Sequence, residues 1–573
     1  MASPEAAVVR DLVHRLTAHP QAERSVDTRG HVRASSLETA DFSGFRDVVQ
    51  STKDELNLVE AVVELRSLVL PRSQLGDQGL ITLMRAFKEG SRRGSSLKYL
   101  DLTDNNITEK GFEALTEALE TNFLSGLESL IVAQNEIGEN GANLLAKVFR
   151  TGHFASLRGL DMSYCNVGSM GMVSIADSLQ SGNFSALRIQ NLDFSANGIG
   201  ERAVVSLTRA MVMGRLPELR FLSLSGNELG EEGTGALATV LKAGSHLPKL
   251  THLLLSLCYA RDALVPIFQS LQGVPTLEVL DVSGNHMGDH GSVALAIALR
   301  TGALSNLWHL NLSQCDIGAQ QVDFIMKAVG VGEVFGLKHL DLSYNNLNSN
   351  SAASLSFIED GIFAIVHLIR NGFLSRLEYL DLSHCSITDV GLIDLANSMT
   401  AGKLPVLQHF LFKGNDIRSP KAIKALVRAL ESENLSFLQE IELGQNSVGE
   451  DATMALASAL TVSSAQGPLV EMLKNRLMMT QKSMAAEGRT VGDEVKKVWR
   501  NRSFASLGVI KPVEEELPTG EKLYNRFLER QYSNRLSPVV DEEIAGRPSN
   551  SKFFFNLLFV LAWLVAIVIS KRL

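Results

Sequence analysis

Six aspartates each follow a leucine in the same short context: Asp101, Asp161, Asp193, Asp281, Asp341 and Asp381, with Asn311 and Glu442 in equivalent places. Two residues before this position stand Tyr99, Phe221, His252, His309, His339, Tyr379 and His409, and Trp308 precedes His309. Side chains two apart on a strand share a face, and neighbouring strands lie about 4.8 Å apart. A strand at each site would set an acidic ribbon beside a ribbon of rings. A basic or mixed-charge protein could be held there, with the rings as anchors. His309, His339 and Asp341 could ligate a metal, but no known ligand spacing is present, so neither metal nor cofactor is expected. Clustered imidazoles could make binding pH-sensitive.

A recurring frame positions these residues. LKYLDLTDNNI from Leu97, LRGLDMSYCNV from Leu157, LKHLDLSYNNL from Leu337 and LEYLDLSHCSI from Leu377 share L-x-x-L-x-L-x-x-N/C-x-(L/I/V). The frame also fits from Leu65, Leu127, Ile189, Leu219, Leu250, Leu277, Leu307, Leu407 and Leu438, thirteen starts in all. Between frames the spacing turns helical. Phe112, Leu115, Ala118 and Leu119 fall on one helix face, as do Ala294, Leu295, Ala298 and Leu299. Each unit is strand, turn and helix, and none can bury its apolar face alone. Stacking the units solves this.

The pattern resembles the ribonuclease-inhibitor type of leucine-rich repeat, also found in Ran GTPase-activating proteins and in the sensing arm of NOD-like receptors. The resemblance covers residues 61–464. It implies an α/β leucine-rich repeat solenoid, a horseshoe with a parallel sheet on the concave side and helices on the convex side. It further implies a protein partner on the concave face. LDLS is common in this repeat class, so the aspartates also read as plain repeat consensus. An alternative function, activating a small GTPase, rests on fold analogy. The acidic tail of that family is missing, and Glu514 to Glu516 are no substitute.

Two intervals are irregular. From Leu337 to Leu377 the frame lengthens to 40 residues, through SFIEDGIFAIVHLIRNG. That reads as a longer convex helix or as a docking ridge. From Leu250 to Leu277 it shrinks to 27, where a local change of curvature is expected.

Cys165, Cys258, Cys315 and Cys385 all occupy the N/C position of the frame. In the family it resembles, that residue points inward and bonds loop backbone, which makes these core thiols on four separate rungs. No C-x-x-C pair suggests a metal or redox centre, and unpaired thiols fit a reducing compartment. A net charge of −9 and a pI near 5.9 argue against nucleic acid as a partner. No phosphate-binding loop, nucleophile elbow, zinc-protease helix or kinase set occurs, so no enzyme is expected.

Residues 1–60 read as an N-terminal helical cap. Glu5 and Asp11 argue against a transit peptide, and no secretory core is present. Residues 465–551 read as a helical cap and flexible stem. Within them, Pro468 to Arg502 is basic with Leu469, Leu473 and Leu477 at helical spacing, and caps the solenoid or meets a membrane or partner. Gly520 to Leu536 either docks back or lies on lipid headgroups.

Residues 552–573 read as a transmembrane tail anchor. FFFNLLFVLAWLVAIVI runs from Phe553 to Ile569, through Leu557, Leu561 and Trp563, with Lys552 before it and Lys571-Arg572 after. Seventeen residues at about 1.5 Å each reach about 25 Å, the short end of a membrane span. Insertion would follow synthesis and leave the preceding chain in the cytosol. Short length and basic flanks favour the mitochondrial outer membrane, then the endoplasmic reticulum.

Overall fold

The computed structural model describes residues 31–32, 67–90, 97–121, 123–152, 154–181, 187–258, 263–348 and 361–446. Seven strands open the sheet: β1 (His31–Val32), β2 (Ser67–Val69), β3 (Tyr99–Asp101), β4 (Ser129–Ile131), β5 (Gly159–Asp161), β6 (Asn191–Asp193) and β7 (Phe221–Ser223). Seven continue it: β8 (His252–Leu254), β9 (Val279–Asp281), β10 (His309–Asn311), β11 (His339–Asp341), β12 (Tyr379–Asp381), β13 (His409–Leu411) and β14 (Glu440–Glu442). They form a single sheet in chain order, every pair parallel. Each frame yields one strand at its third to fifth residues, so β2 to β14 are the thirteen repeats. From β2 onward, a helix between successive strands supplies the crossover that parallel pairing needs.

Of residues 1–60, only His31–Val32 are described. They pair with Ser67 and Leu68 and add a strand that a helical reading did not include. The chain divides into two units, Met1–Ile510 and Lys511–Leu573, and every described residue lies in the first. The expected second cap, the stem and the anchor all lie outside the described residues. Among the described residues no helix is long and apolar enough to cross a membrane.

The core lies between sheet and helices. Leu97, Leu100 and Leu102 of one frame are fully buried, and so are Phe112 and Leu115 of the helix Glu109–Glu120 behind them. Burying each such side chain stabilises the fold by about 1.5–3 kcal/mol. That helix starts where Thr108 accepts a hydrogen bond from the Lys110 N–H, a side-chain cap.

After β3, β4, β6, β7, β9, β11 and β13 a buried Asn ties neighbouring rungs together. Asn135 Oδ1 accepts the N–H of Asn105 and of Ile107, both at 3.0 Å. Its Nδ2 donates to the carbonyls of Leu102 (2.9 Å) and Val132 (2.8 Å). The cysteines take the same position. Cys165 Sγ donates to the Val132 carbonyl at 3.1 Å, and Cys385 Sγ to that of Leu342 at 3.2 Å. All four thiols are buried and none is in a disulfide.

The short interval keeps a helix of about two turns, Leu264–Ser270, followed by a 3-10 turn at Leu271–Gly273. In the long interval residues 349–360 lie outside the described set. The helix Gly361–Arg370 then buries Ile362, Ile365 and Ile369.

Candidate concave binding face

Pairing brings the expected rows into register. His309 faces His339, which faces Tyr379, which faces His409. Two residues on, Asn311, Asp341 and Asp381 form the parallel row. The rings stack along the solenoid. His309 and His339 have centroids 3.8 Å apart, His339 and Tyr379 3.9 Å, and Tyr379 and His409 5.8 Å. Trp308 meets His309 edge-on at 5.7 Å. Nearer the N-terminal end, Phe221 and His252 form a second pair at 5.9 Å.

Exposure divides the expected residues. Tyr99, Trp308, Tyr379 and His409 are partly exposed. Phe221, His252, His309 and His339 are buried, and so are Asp101, Asp161, Asp193, Asp281, Asp341 and Asp381. The carboxylates are buried rather than displayed, for a local reason. Asp161 Oδ1 accepts the Ser163 N–H at 3.0 Å and its hydroxyl at 2.7 Å. Asp101 does the same with Thr103, and Asp341 accepts the Ser343 N–H at 2.9 Å. Asn311 fills the role for Ser313 without a charge. The acidic row therefore holds the turn after each strand.

Burial keeps the imidazoles neutral. It lowers the His252 pKa to about 4 and that of His339 to about 3, the latter helped by His409. His309 falls well below the ordinary range through burial, with His339 and His252 adding to it. Neutral buried imidazoles are weak proton acceptors at pH 7, so the column offers flat surface and hydrogen bonding rather than acid–base work. His339 Nε2 and both amide atoms of Asn191 have no hydrogen-bond partner among the described residues. Among the described residues no group of three or more His, Cys, Asp or Glu is placed to hold a metal ion.

Sequence reasoning missed the row at the strand ends. Tyr164 (44% exposed), Leu257 (45%) and Tyr344 (52%) project from the turns, and Tyr344 stacks on His384 at 4.4 Å. The signal was the varied residue just before the Asn/Cys of each frame, which is Gly226, Gly284 or Gly414 in other rungs.

Residues 95–115, 155–176, 275–296, 337–356 and 375–396 match the Leucine Rich repeat family. The Tonsoku-like protein of Bos taurus is 32% identical over 37% of this chain and 15% of its own length. The ribonuclease inhibitor of Sus scrofa is 30% identical over 35% of this chain and 41% of its own. The NLR family CARD domain-containing protein 4 of Xenopus tropicalis is 26% identical over 40% of this chain and 21% of its own. The matches thus span less than half of each of these relatives. An internalin from Listeria monocytogenes is 16% identical, with a TM-score of 0.38, over 70% of this chain and 94% of its own. The described residues form a parallel-sheet solenoid in which five stretches match the Leucine Rich repeat family.

Proposed function

We propose that this protein is a membrane-tethered leucine-rich repeat scaffold that works by binding rather than catalysis, with a protein partner of basic or mixed charge on its concave face. The observation that carries the reading is the unbroken column of rings from His309 to His409, with Trp308, Tyr379 and His409 still partly exposed. Aromatic side chains supply interface energy at small entropic loss. The tether is the run from Phe553 to Ile569 with its basic flanks, acting at the mitochondrial outer membrane first and the endoplasmic reticulum second.

Two measurements test this. Full-length chain tagged at its N-terminus should sit on an organelle membrane and resist carbonate extraction, and the chain lacking residues 552–573 should not. An unchanged distribution removes the tether. A captured partner, purified and titrated directly, should bind the Trp308→Ala/Tyr379→Ala variant about tenfold more weakly. Unchanged affinity removes the concave face.

A further inference from the structure

Phe221, Leu254 and Val279 are fully buried, yet none belongs to the continuous apolar core between sheet and helices. Their strand neighbours Leu222, Leu253 and Leu280 do belong to it. Successive strand residues point to opposite faces, so the three lie on the concave face, in register across β7, β8 and β9. His309 and His339 continue the buried stretch, and burial relaxes at the partly exposed Tyr379. A concave sheet face is ordinarily the open, binding side of a solenoid. The convex helices pack with the core leucines on the other face, so they are not what shields this one.

The chemistry of the stretch suits an apolar occupant. Strands β7 to β12 carry no Lys or Arg, and Asp341 gives its carboxylate to the Ser343 N–H. Aliphatic side chains and neutral rings remain. The five steps from β7 to β12 cover about 24 Å, the length of a helix of about 16 residues. A helical pitch of about 5.4 Å sets about one turn over each strand. Phe553 to Ile569 is a run of seventeen residues with no charge and a single polar side chain, Asn556. It matches the stretch in length and in charge. The 105 residues between Asn446 and Lys552 far exceed what the about 24 Å from β14 back to β9 requires.

Resting on the tether and concave-face readings and linking them, we propose that before membrane insertion the run from Phe553 to Ile569 lies along the concave face, over Phe221, Leu254, Val279, His309 and His339. An apolar run left in water drives aggregation, and the face shields it. Membrane and face then compete for one segment. Insertion withdraws the run and uncovers the face, so partner binding is confined to the membrane-bound form.

The test uses the full-length chain, synthesised in a membrane-free translation extract, with photoreactive p-benzoylphenylalanine replacing Leu561 in one preparation and Trp563 in another. These positions stand on opposite sides of a helix, and the solenoid keeps its native sequence. Illumination and mass spectrometry locate the cross-links. From one of the two positions, concave residues of β7 to β12 should be labelled at least about fivefold more than the convex helices, and dilution by about tenfold should not change the ratio, because the contact is intramolecular. Phosphatidylcholine vesicles should cut the concave cross-links by at least about fivefold in favour of lipid adducts. Cross-links spread over the convex helices, or a product of twice the chain's mass that marks a second copy, overturn the proposal. Concave cross-links undiminished by vesicles overturn it too. Lipid adducts with no earlier concave cross-links would remove this proposal alone and leave the tether standing. The concave-face reading is tested separately, through Trp308 and Tyr379.

Discussion

His339 lies flat against Tyr379, with ring centroids 3.9 Å apart and planes 6° from parallel, and His309 covers its other face at 3.8 Å. Protonating His339 would place a charge inside this stack, beside His309 and close to His409. The pKa therefore falls from an ordinary 6.5 to about 3, chiefly through burial. His252 falls to about 4 for the same reason. Unfolded imidazoles take up protons near pH 6.5 and the folded ones do not, so the unfolded state binds more protons below that pH. The stabilisation is complete above about pH 6.5, is lost as pH falls, and levels off near 4 to 3. Each imidazole contributes on the order of a few kcal/mol across that window. His339→Phe keeps a ring in the stack and cannot protonate. Its urea midpoint should drop less than that of the parent between pH 7 and pH 5, and equal drops would refute the assignment.

The aspartate row should behave as a turn-forming element. Asp341 Oδ1 accepts the Ser343 N–H at 2.9 Å, and Asn311 makes the same bond to Ser313 at 3.0 Å with no charge. Asp341→Asn should then change stability by less than about 1 kcal/mol. Asp341→Lys removes the acceptor and buries an ammonium, at a cost of about 3 kcal/mol or more. Thermal unfolding of the two variants decides the matter, and equal damage from both would contradict the hydrogen-bond role. Partner binding lost on charge reversal here would reflect folding as much as recognition.

The Asn ladder and the cysteines that interrupt it predict a graded series. Asn135→Ala leaves two buried N–H groups and two buried carbonyls short of a bond, and should cost about 3 kcal/mol or more. Asn135→Cys restores one donor, as Cys165 does for the Val132 carbonyl, and should recover about 1 kcal/mol. The native thiols should resist alkylation in the folded protein. Burial raises the Cys258 pKa to about 12 and pushes Cys315 and Cys385 further up. Rapid labelling of folded protein at pH 8 would place a thiol outside the core.

Repeat frames made strands and register legible because spacing alone decides which leucines point inward. Leu337, Leu340 and Leu342 are buried as their positions require, and His339 and Asp341 share the opposite face. The state of those two residues was not legible. A carboxylate that serves a turn and one that faces a partner have the same letter, and only the bond to Ser343 tells them apart. The turn residues were hidden for another reason. The frame leaves their position unspecified, so Tyr344 and Gly284 look equally arbitrary until their common positive φ is known. Residues 349–360 and the run from Phe553 to Ile569 lie outside the described structure, and their readings rest on composition.

The turn row also contains an interlock. His384 (φ 56°) leans over Gly414 (φ 65°) on the next rung, and a Cβ at Gly414 would collide with the imidazole. Gly414 is thus required twice, once for its backbone conformation and once for the space above it. Gly414→Ala should destabilise the fold by about 2 kcal/mol through both effects. His384→Gly alone should cost only about 1 kcal/mol, because it puts glycine at another left-handed position while removing a partly exposed ring stacked on Tyr344. In His384→Gly/Gly414→Ala the collision is gone while the backbone strain stays, so about half of the loss should return. A double-mutant cycle on unfolding midpoints would measure a coupling near 1 kcal/mol between these contacting positions. Strict additivity would mean that the ring swings clear of the new methyl group, and the interlock would not exist.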